Sequence, residues 1–343
     1  MTDLSKIDIA SPLRASFVRP RKFKLTGARR AFIRQSAYTA GQLVFPMAVD
    51  ANIDGAVPVN KMPGMFRYSL DAAVEKAREL ADLGVGGVYL IGIPAHRDGQ
   101  ASDAASDKGV VADATRRIRA AVGDRLLIVG DSYFGYFTDH QIGGVLDKDG
   151  RIDNEGTRAA LARIAVAWAR AGIDVLCCST MVDGRVAVMR EAMEAEGFDD
   201  VLLMGSVKFN SAFFKAGTDF TATGASYGYD KSVYYIEPGN IDDAIRIAQA
   251  DVEQGAEILN VKPGTPYQDV VRVLKDMFGL PVSAFSISGD YAMVEYGEKN
   301  AGLSSAACSD ELVKSFRRAG ADMVITYWAP LLAKALHQNS HPC

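Results

Sequence analysis

Short, almost wholly apolar runs recur along the chain, separated by stretches whose apolar residues repeat at helical spacing. Eight runs read as strands: residues 43–49, 87–93, 126–131, 174–178, 201–206, 257–262, 282–287 and 322–327. Their apolar character is nearly continuous rather than alternating, as expected of a parallel sheet covered on both faces. Amphipathic helices are predicted between them, among them residues 70–83, 157–171, 186–196 and 241–254. Four helices end at a glycine, Gly84, Gly172, Gly255 or Gly320, shortly before the next strand begins, each suited to the left-handed cap that stops a helix. Eight strands alternating with helices predict an α/β fold, a (β/α)8 TIM barrel rather than a doubly wound sheet. Chemistry then belongs at the carboxyl ends of the strands. Residues 1–38 read as an N-terminal arm and 39–343 as the barrel domain.

Two segments break the rhythm. Residues 131–156 are rich in glycine and aromatics, and residues 213–238 in Gly, Thr, Ser and Tyr; both are long for loops at a barrel mouth, where such loops act as lids.

Composition narrows the function classes. With 343 residues, 48% hydrophobic and 23% charged, the chain can bury a large core, and no run is long and apolar enough for a membrane span. The start, Met1 to Lys6, lacks the build of a signal peptide, which predicts a cytoplasmic location. A net charge of −4 gives no general footprint for nucleic acid. The basic stretch from Arg19 to Arg34 mixes cations with Phe23, Leu25, Phe32 and Ile33, which suits packing on another subunit of a homo-oligomer. Cys177, Cys178, Cys308 and Cys343 show no metal or disulfide spacing, and the four histidines, His96, His140, His337 and His341, make a histidine-rich centre an unsuitable reading.

Chemistry concentrates on two lysines. Lys208 and Lys262 each stand where an apolar run gives way to a loop. On neighbouring strands, about 4.8 Å apart, they would converge on one pocket whose apolar walls and mutual repulsion disfavour the ammonium form, leaving an amine able to attack a ketone. For a single lysine a solvated strand end is the bland alternative. Pro263 and Gly264 argue against it for Lys262, because they hold it in extended geometry just before a tight turn.

Six ordered motifs sharpen this reading. Met62-Pro63-Gly64-Met65-Phe66-Arg67, Met181-Val182-Asp183-Gly184-Arg185, Ser206-Val207-Lys208-Phe209, Val261-Lys262-Pro263-Gly264-Thr265-Pro266-Tyr267, Ile287-Ser288-Gly289-Asp290-Tyr291-Ala292-Met293 and Ile325-Thr326-Tyr327 resemble those of the porphobilinogen synthase, or 5-aminolevulinate dehydratase, family. The resemblance covers about Leu43 to Leu336. It implies a lyase that joins two 5-aminolevulinate molecules into a pyrrole, with Lys262 forming the imine to the first substrate and Lys208 serving the second. It further implies that Ser288 and Tyr327 hold the first carboxylate, that Asp131, Thr218, Lys231 and Tyr235 contribute to substrate binding, and that the assembly is built from dimers, up to an octamer.

The departures from the family pattern fall on the second substrate's side. Tyr133, Gly135 and Gly143 occupy the metal-ligand positions of metal-dependent relatives, so no catalytic metal is expected; a distant regulatory magnesium is left open. Gly217-Thr218-Asp219 stands where the family carries an arginine, leaving Lys231 as the surviving cation with Lys215 nearby in sequence. Thr180 replaces an aspartate, and Tyr234-Tyr235 replaces a Tyr-Gln pair. The alternatives are therefore a paralogous imine-forming enzyme with a different second substrate, a one-lysine aldolase, and a non-catalytic metabolite-binding barrel. No cofactor beyond the covalent lysine imines is expected.

Overall fold

The computed structural model describes residues 20–223 and 229–340. Arg19, His341 and Cys343 from the sequence reading, together with the start of the chain and residues 224–228 of the second irregular segment, lie outside the described residues.

Two units divide the chain, residues 1–37 and 38–343. In the first, a 3-10 turn (Pro20–Lys24) precedes α1 (Gly27–Phe32), which is capped by the Thr26 hydroxyl accepting from the Arg29 amide at 3.2 Å. The Arg29 and Arg30 guanidiniums donate to the carbonyls of Lys22 and Lys24 and fold the two turns together.

The second unit runs β1 (Leu43–Asp50), β2 (Ala56–Pro58), β3 (Phe66–Tyr68), α2 (Leu70–Asp82), β4 (Gly87–Ile93), α3 (Val110–Val122), β5 (Leu127–Asp131), α4 (Asn154–Ala171), β6 (Val175–Cys178), α5 (Arg185–Ala195) and β7 (Leu202–Lys208). It continues with α6 (Ile241–Glu253), β8 (Ile258–Lys262), α7 (Gln268–Phe278), β9 (Val282–Ser286), α8 (Ser288–Ala301), α9 (Ser305–Ala319), β10 (Met323–Thr326) and α10 (Ala329–Ser340). Strands β1, β4, β5, β6, β7, β8, β9 and β10 are all parallel, and β10 pairs back onto β1 to close the barrel. These are the eight expected strands, each within two residues of its predicted ends. Their buried, unbroken apolar runs follow from having the barrel interior on one face and helices on the other. The four cap glycines all adopt positive φ, 66° at Gly84, 90° at Gly172, 100° at Gly255 and 113° at Gly320.

Three features extend the sequence reading. The antiparallel β2–β3 hairpin is attached to β1 through β3 and carries the Met62-Pro63-Gly64 motif in its connection; its strands are only three residues long and leave no apolar run to detect. Helix α4 starts at Asn154 rather than Thr157, because the Asp153 carboxylate caps it by accepting from the Gly156 amide at 3.0 Å. The two irregular segments hold short 3-10 turns at Phe134–Tyr136, Ala212–Gly217 and Lys231–Val233.

Below the mouth, the Arg185–Asp251 pair locks the barrel to its helices. Both residues are buried, and the guanidinium also donates to the carbonyls of Cys178 at 3.0 Å and Ser206 at 3.2 Å. Burial raises the Asp251 carboxyl to about 6 despite the adjoining guanidinium, so Arg185 of the Asp183-Gly184-Arg185 motif has a structural task. Cys177 and Cys178 are buried as small core residues, with burial raising the Cys177 thiol to about 12. Among the described residues no helix is long and apolar enough to cross a membrane.

Candidate active site

Strands β7 and β8 deliver the two lysines together. Lys208 and Lys262 are direct register partners at the carboxyl ends of adjacent strands, and both are buried, at 3% and 4% exposure. Parallel pairing with no offset puts their side chains on the same face of the sheet, as the sequence predicts.

Their surroundings differ. Lys262 Nζ lies 3.1 Å from Asp131 Oδ2 at the end of β5, in a fully enclosed ion pair, with the rings of Phe285 and Tyr89 beside it at 4.5 and 5.2 Å. Asp131 is held in turn by the Ser179 hydroxyl, the Tyr133 amide at 3.1 Å and the Tyr136 hydroxyl at 3.3 Å. Burial alone would raise this carboxyl, but the charges of Lys262 and Lys208 and the donated hydrogen bonds outweigh it and keep Asp131 below the ordinary carboxylate range. Ser179 and Tyr136 went unremarked in the sequence; their only signal was proximity to the ends of two predicted strands.

Lys208 forms no ion pair among the described residues. Its nitrogen lies 3.8 Å from the centroid of the Tyr133 ring and 4.7 Å from that of Tyr235, with Phe214 at 5.7 Å. Burial, then repulsion from Lys262, pushes its ammonium well below the ordinary lysine range, against the opposing pull of Asp131. The expected disfavoured ammonium is therefore found at Lys208, whereas Lys262 lies against the Asp131 carboxylate. Burial also pushes the phenols of Tyr136 and Tyr235 far up, so both remain hydrogen-bond donors.

Ser288 and Tyr327 follow β9 and β10. Tyr327 is buried, with its ring 6.4 Å from that of Phe285, the residue over Lys262, and edge-on to Phe220 at 5.2 Å. Ser288 opens α8 and packs so closely on Gly217 that an added Cβ there would meet its Oγ at 2.6 Å. The segment after β7 thus folds back over Ser288 and Tyr327. Arg97, which sequence reasoning missed, ties the mouth together by donating to the Tyr136 carbonyl at 2.8 Å and the Ala222 carbonyl at 3.3 Å.

The remaining residues are less tightly joined. Tyr235 is buried beside Lys208, but Thr218 is partly exposed, donating to the Lys215 carbonyl at 3.3 Å and accepting from Lys61 at 3.4 Å. Lys231, capped into its turn by Asp230, meets the lysine pair through its charge, which adds to the lowering of Lys208. Thr180 accepts from the Phe134 amide and donates to the Ser132 carbonyl, both at 2.8 Å, and pins the loop after β5 to the end of β6.

The loop after β5 carries Asp139 and His140 but gathers no metal-ligand set from its described residues. Among the described residues no group of three or more His, Cys, Asp or Glu could hold one. A Cβ at Gly135 would meet the Gln141 carbonyl oxygen at 2.7 Å, and at Gly143 it would press on the Tyr234 ring at 3.1 Å. His140 is a hydrogen-bonded loop residue whose Nδ1 accepts from the Ile142 amide at 3.1 Å. Tyrosine rings fill this space, so the donor set does not fit the zinc centre of metal-dependent relatives.

Comparison with known proteins agrees with this geometry. The family model for delta-aminolevulinic acid dehydratase matches residues 17–335. The chain is 37% identical to the delta-aminolevulinic acid dehydratase of Mycobacterium tuberculosis over 314 residues, covering 91% of this chain and 95% of that protein. It is 32% identical to the enzyme of that name from Methanothermus sociabilis, covering 93% and 99%. Among solved structures, delta-aminolevulinic acid dehydratase (porphobilinogen synthase) from Toxoplasma gondii, in complex with its reaction product porphobilinogen, is similar with a TM-score of 0.91 and 31% identity, covering 95% of this chain and 96% of that one.

Proposed function

The chain belongs to the delta-aminolevulinic acid dehydratase family and is a lyase, and from that premise we propose that it condenses two 5-aminolevulinate molecules into porphobilinogen without a catalytic metal. The observation that carries the reading is the enclosed, in-register lysine pair with one carboxylate beside it.

In this reading Lys262 binds the first substrate as an imine. Asp131 takes a proton from Lys262, whose free amine attacks the ketone carbon, and returns it to the hydroxyl that leaves as water. Ser288 and Tyr327 direct hydroxyl donors to the first carboxylate. Lys208, whose burial and charged neighbour favour the neutral amine, forms the second imine, and Lys231 supplies the cation for the second carboxylate. An imine acidifies the adjacent carbon, so once both waters have left in imine formation the two bound molecules can form a carbon–carbon bond, expel the Lys208 amine, and close the ring as the substrate amine displaces Lys262, all in one water-poor pocket. Metal independence is supported by the rings and glycines at the mouth, which offer no ligand set. The basic and aromatic arm suits self-association, and loss of oligomer mass on removing residues 1–37, read by light scattering, tests that role.

The main test is incubation of the chelator-treated protein with 5-aminolevulinate. Porphobilinogen should form, and borohydride should trap adducts on Lys262 and Lys208. No adduct on Lys262 would defeat the assignment, and activity lost to the chelator and restored by zinc would defeat metal independence. Condensation with a different second substrate is favoured by one observation, the replacement of a guanidinium at Thr218 by a hydroxyl already bonded to Lys215 and Lys61. That reading predicts the Lys262 adduct without porphobilinogen from 5-aminolevulinate alone.

A further inference from the structure

Two buried amines stand side by side in this barrel, yet among the described residues only one meets a carboxylate at ion-pair distance. Lys262 is met by Asp131 at 3.1 Å, while the Lys208 nitrogen faces the π-surfaces of Tyr133 at 3.8 Å and Tyr235 at 4.7 Å. Neighbours hold both rings in this attitude. Tyr133 is edge-on to Tyr136 at 5.0 Å and shares a hydroxyl contact of 3.3 Å with Tyr234, which is edge-on to Tyr235 at 4.4 Å. The faces, which carry the negative end of the ring quadrupole, are thereby turned to the nitrogen.

We propose that Tyr133, assisted by Tyr235, is the counter-charge for a cationic imine on Lys208, its ring face serving there as the Asp131 carboxylate serves Lys262. This rests on the imine chemistry proposed above. Condensation of the neutral Lys208 amine with a ketone, taking up one proton from solvent, forms the C–N bond, breaks the C–O bond to release water, and leaves one positive charge on the iminium. The charge is spread over carbon and nitrogen, and the nitrogen keeps a single N–H, so the iminium is a poor partner for a point anion and a good one for a polarisable face. A carboxylate at hydrogen-bond distance would favour the resting ammonium, which must then give up a proton before it can attack, as Lys262 does to Asp131. A ring face stabilises the cation without taking the lone pair out of use.

The experiment replaces Tyr133 by phenylalanine and by increasingly fluorinated phenylalanines, which keep the ring's shape while depleting its negative face. Each protein is incubated with 4-oxopentanoate, which has a ketone and a carboxylate but no amine to carry the reaction forward, then reduced with borohydride and mapped by mass. Trapping at Lys208 should fall stepwise with fluorination, by about tenfold or more for the fully fluorinated ring. Tyr133→Leu should fall comparably and Tyr133→Phe should recover most of the loss. The Lys262 adduct should persist throughout, which reports a folded barrel. Trapping at Lys208 that is indifferent to fluorination, or a Tyr133→Phe loss as large as Tyr133→Leu, would overturn the clamp while leaving the Lys262 imine standing. An unlabelled Lys208 in the parent protein, with Lys262 labelled, would remove the second imine and this inference with it.

Discussion

Asp131 Oδ2 lies 3.1 Å from Lys262 Nζ across the barrel mouth, at the ends of β5 and β8, and both residues are buried. If this carboxylate shuttles the proton of imine formation, Asp131→Asn should lower kcat by roughly 100- to 10,000-fold, the range for loss of a positioned acid–base group. Rapid-quench measurement of the Lys262 adduct checks it. An unchanged rate of imine formation in Asp131→Asn would assign the carboxylate to structure alone.

Replacing Lys262 by methionine should raise the proton affinity of Lys208. Burial is the larger cause of its low value and stays, but the repelling charge goes and Asp131 is left un-neutralised, and both changes favour the ammonium. Reductive methylation of Lys208 needs the free amine, so its acid limb should move to higher pH in Lys262→Met. A limb at the parent position would show that the two amines are not electrically coupled.

Asp290 gives the stability a pH signature. Burial raises its carboxyl from 3.8 to about 7; Oδ2 accepts from the Ile287 amide and the Ser286 hydroxyl, while Oδ1 has no hydrogen-bond partner among the described residues. A raised carboxyl in the folded state contributes stability that is complete below about pH 4 and is lost as pH rises through about 7. At about 1.4 kcal/mol per pK unit the contribution is on the order of 4 kcal/mol. Asp290→Asn should therefore flatten the decline in Tm between pH 5 and 8 attributable to this group. Parallel Tm profiles for parent and variant would contradict it.

Gly217→Ala tests the fold-back of the segment after β7. The new methyl would sit 2.6 Å from Ser288 Oγ and 3.0 Å from its Cβ, so the turn must lift from α8. KM for 5-aminolevulinate should rise roughly tenfold, a cost typical of ångström-scale misplacement. Steady-state kinetics beside a circular dichroism spectrum separates this from misfolding, and an unaltered KM would mean that Ser288 does not hold substrate.

Much of this was legible in the linear order of residues. The eight barrel strands announce themselves because both their faces are buried, so Gly87–Ile93 or Val175–Cys178 must be apolar almost throughout. The hairpin at Ala56–Pro58 and Phe66–Tyr68 is too short and too exposed to leave such a trace. Lys208 and Lys262 could be paired because each ends a strand and the strands are consecutive. The Asp131–Lys262 contact was hidden, since it spans the barrel between strands that are not neighbours in the sheet. The aromatic faces on Lys208 were hidden for another reason. They depend on how two irregular loops return over the mouth, where no periodic pattern governs the side chains.

The zero offset between β7 and β8 makes this catalyst a matter of odd and even. Inserting one residue into the middle of either strand would leave a barrel of the same outward form, yet would swing one amine from the interior to the helix layer and separate the two amines by the thickness of the sheet. Function in this molecule should therefore tolerate insertions in its helices and outer loops far better than a single added residue between Met204 and Lys208 or between Ile258 and Lys262.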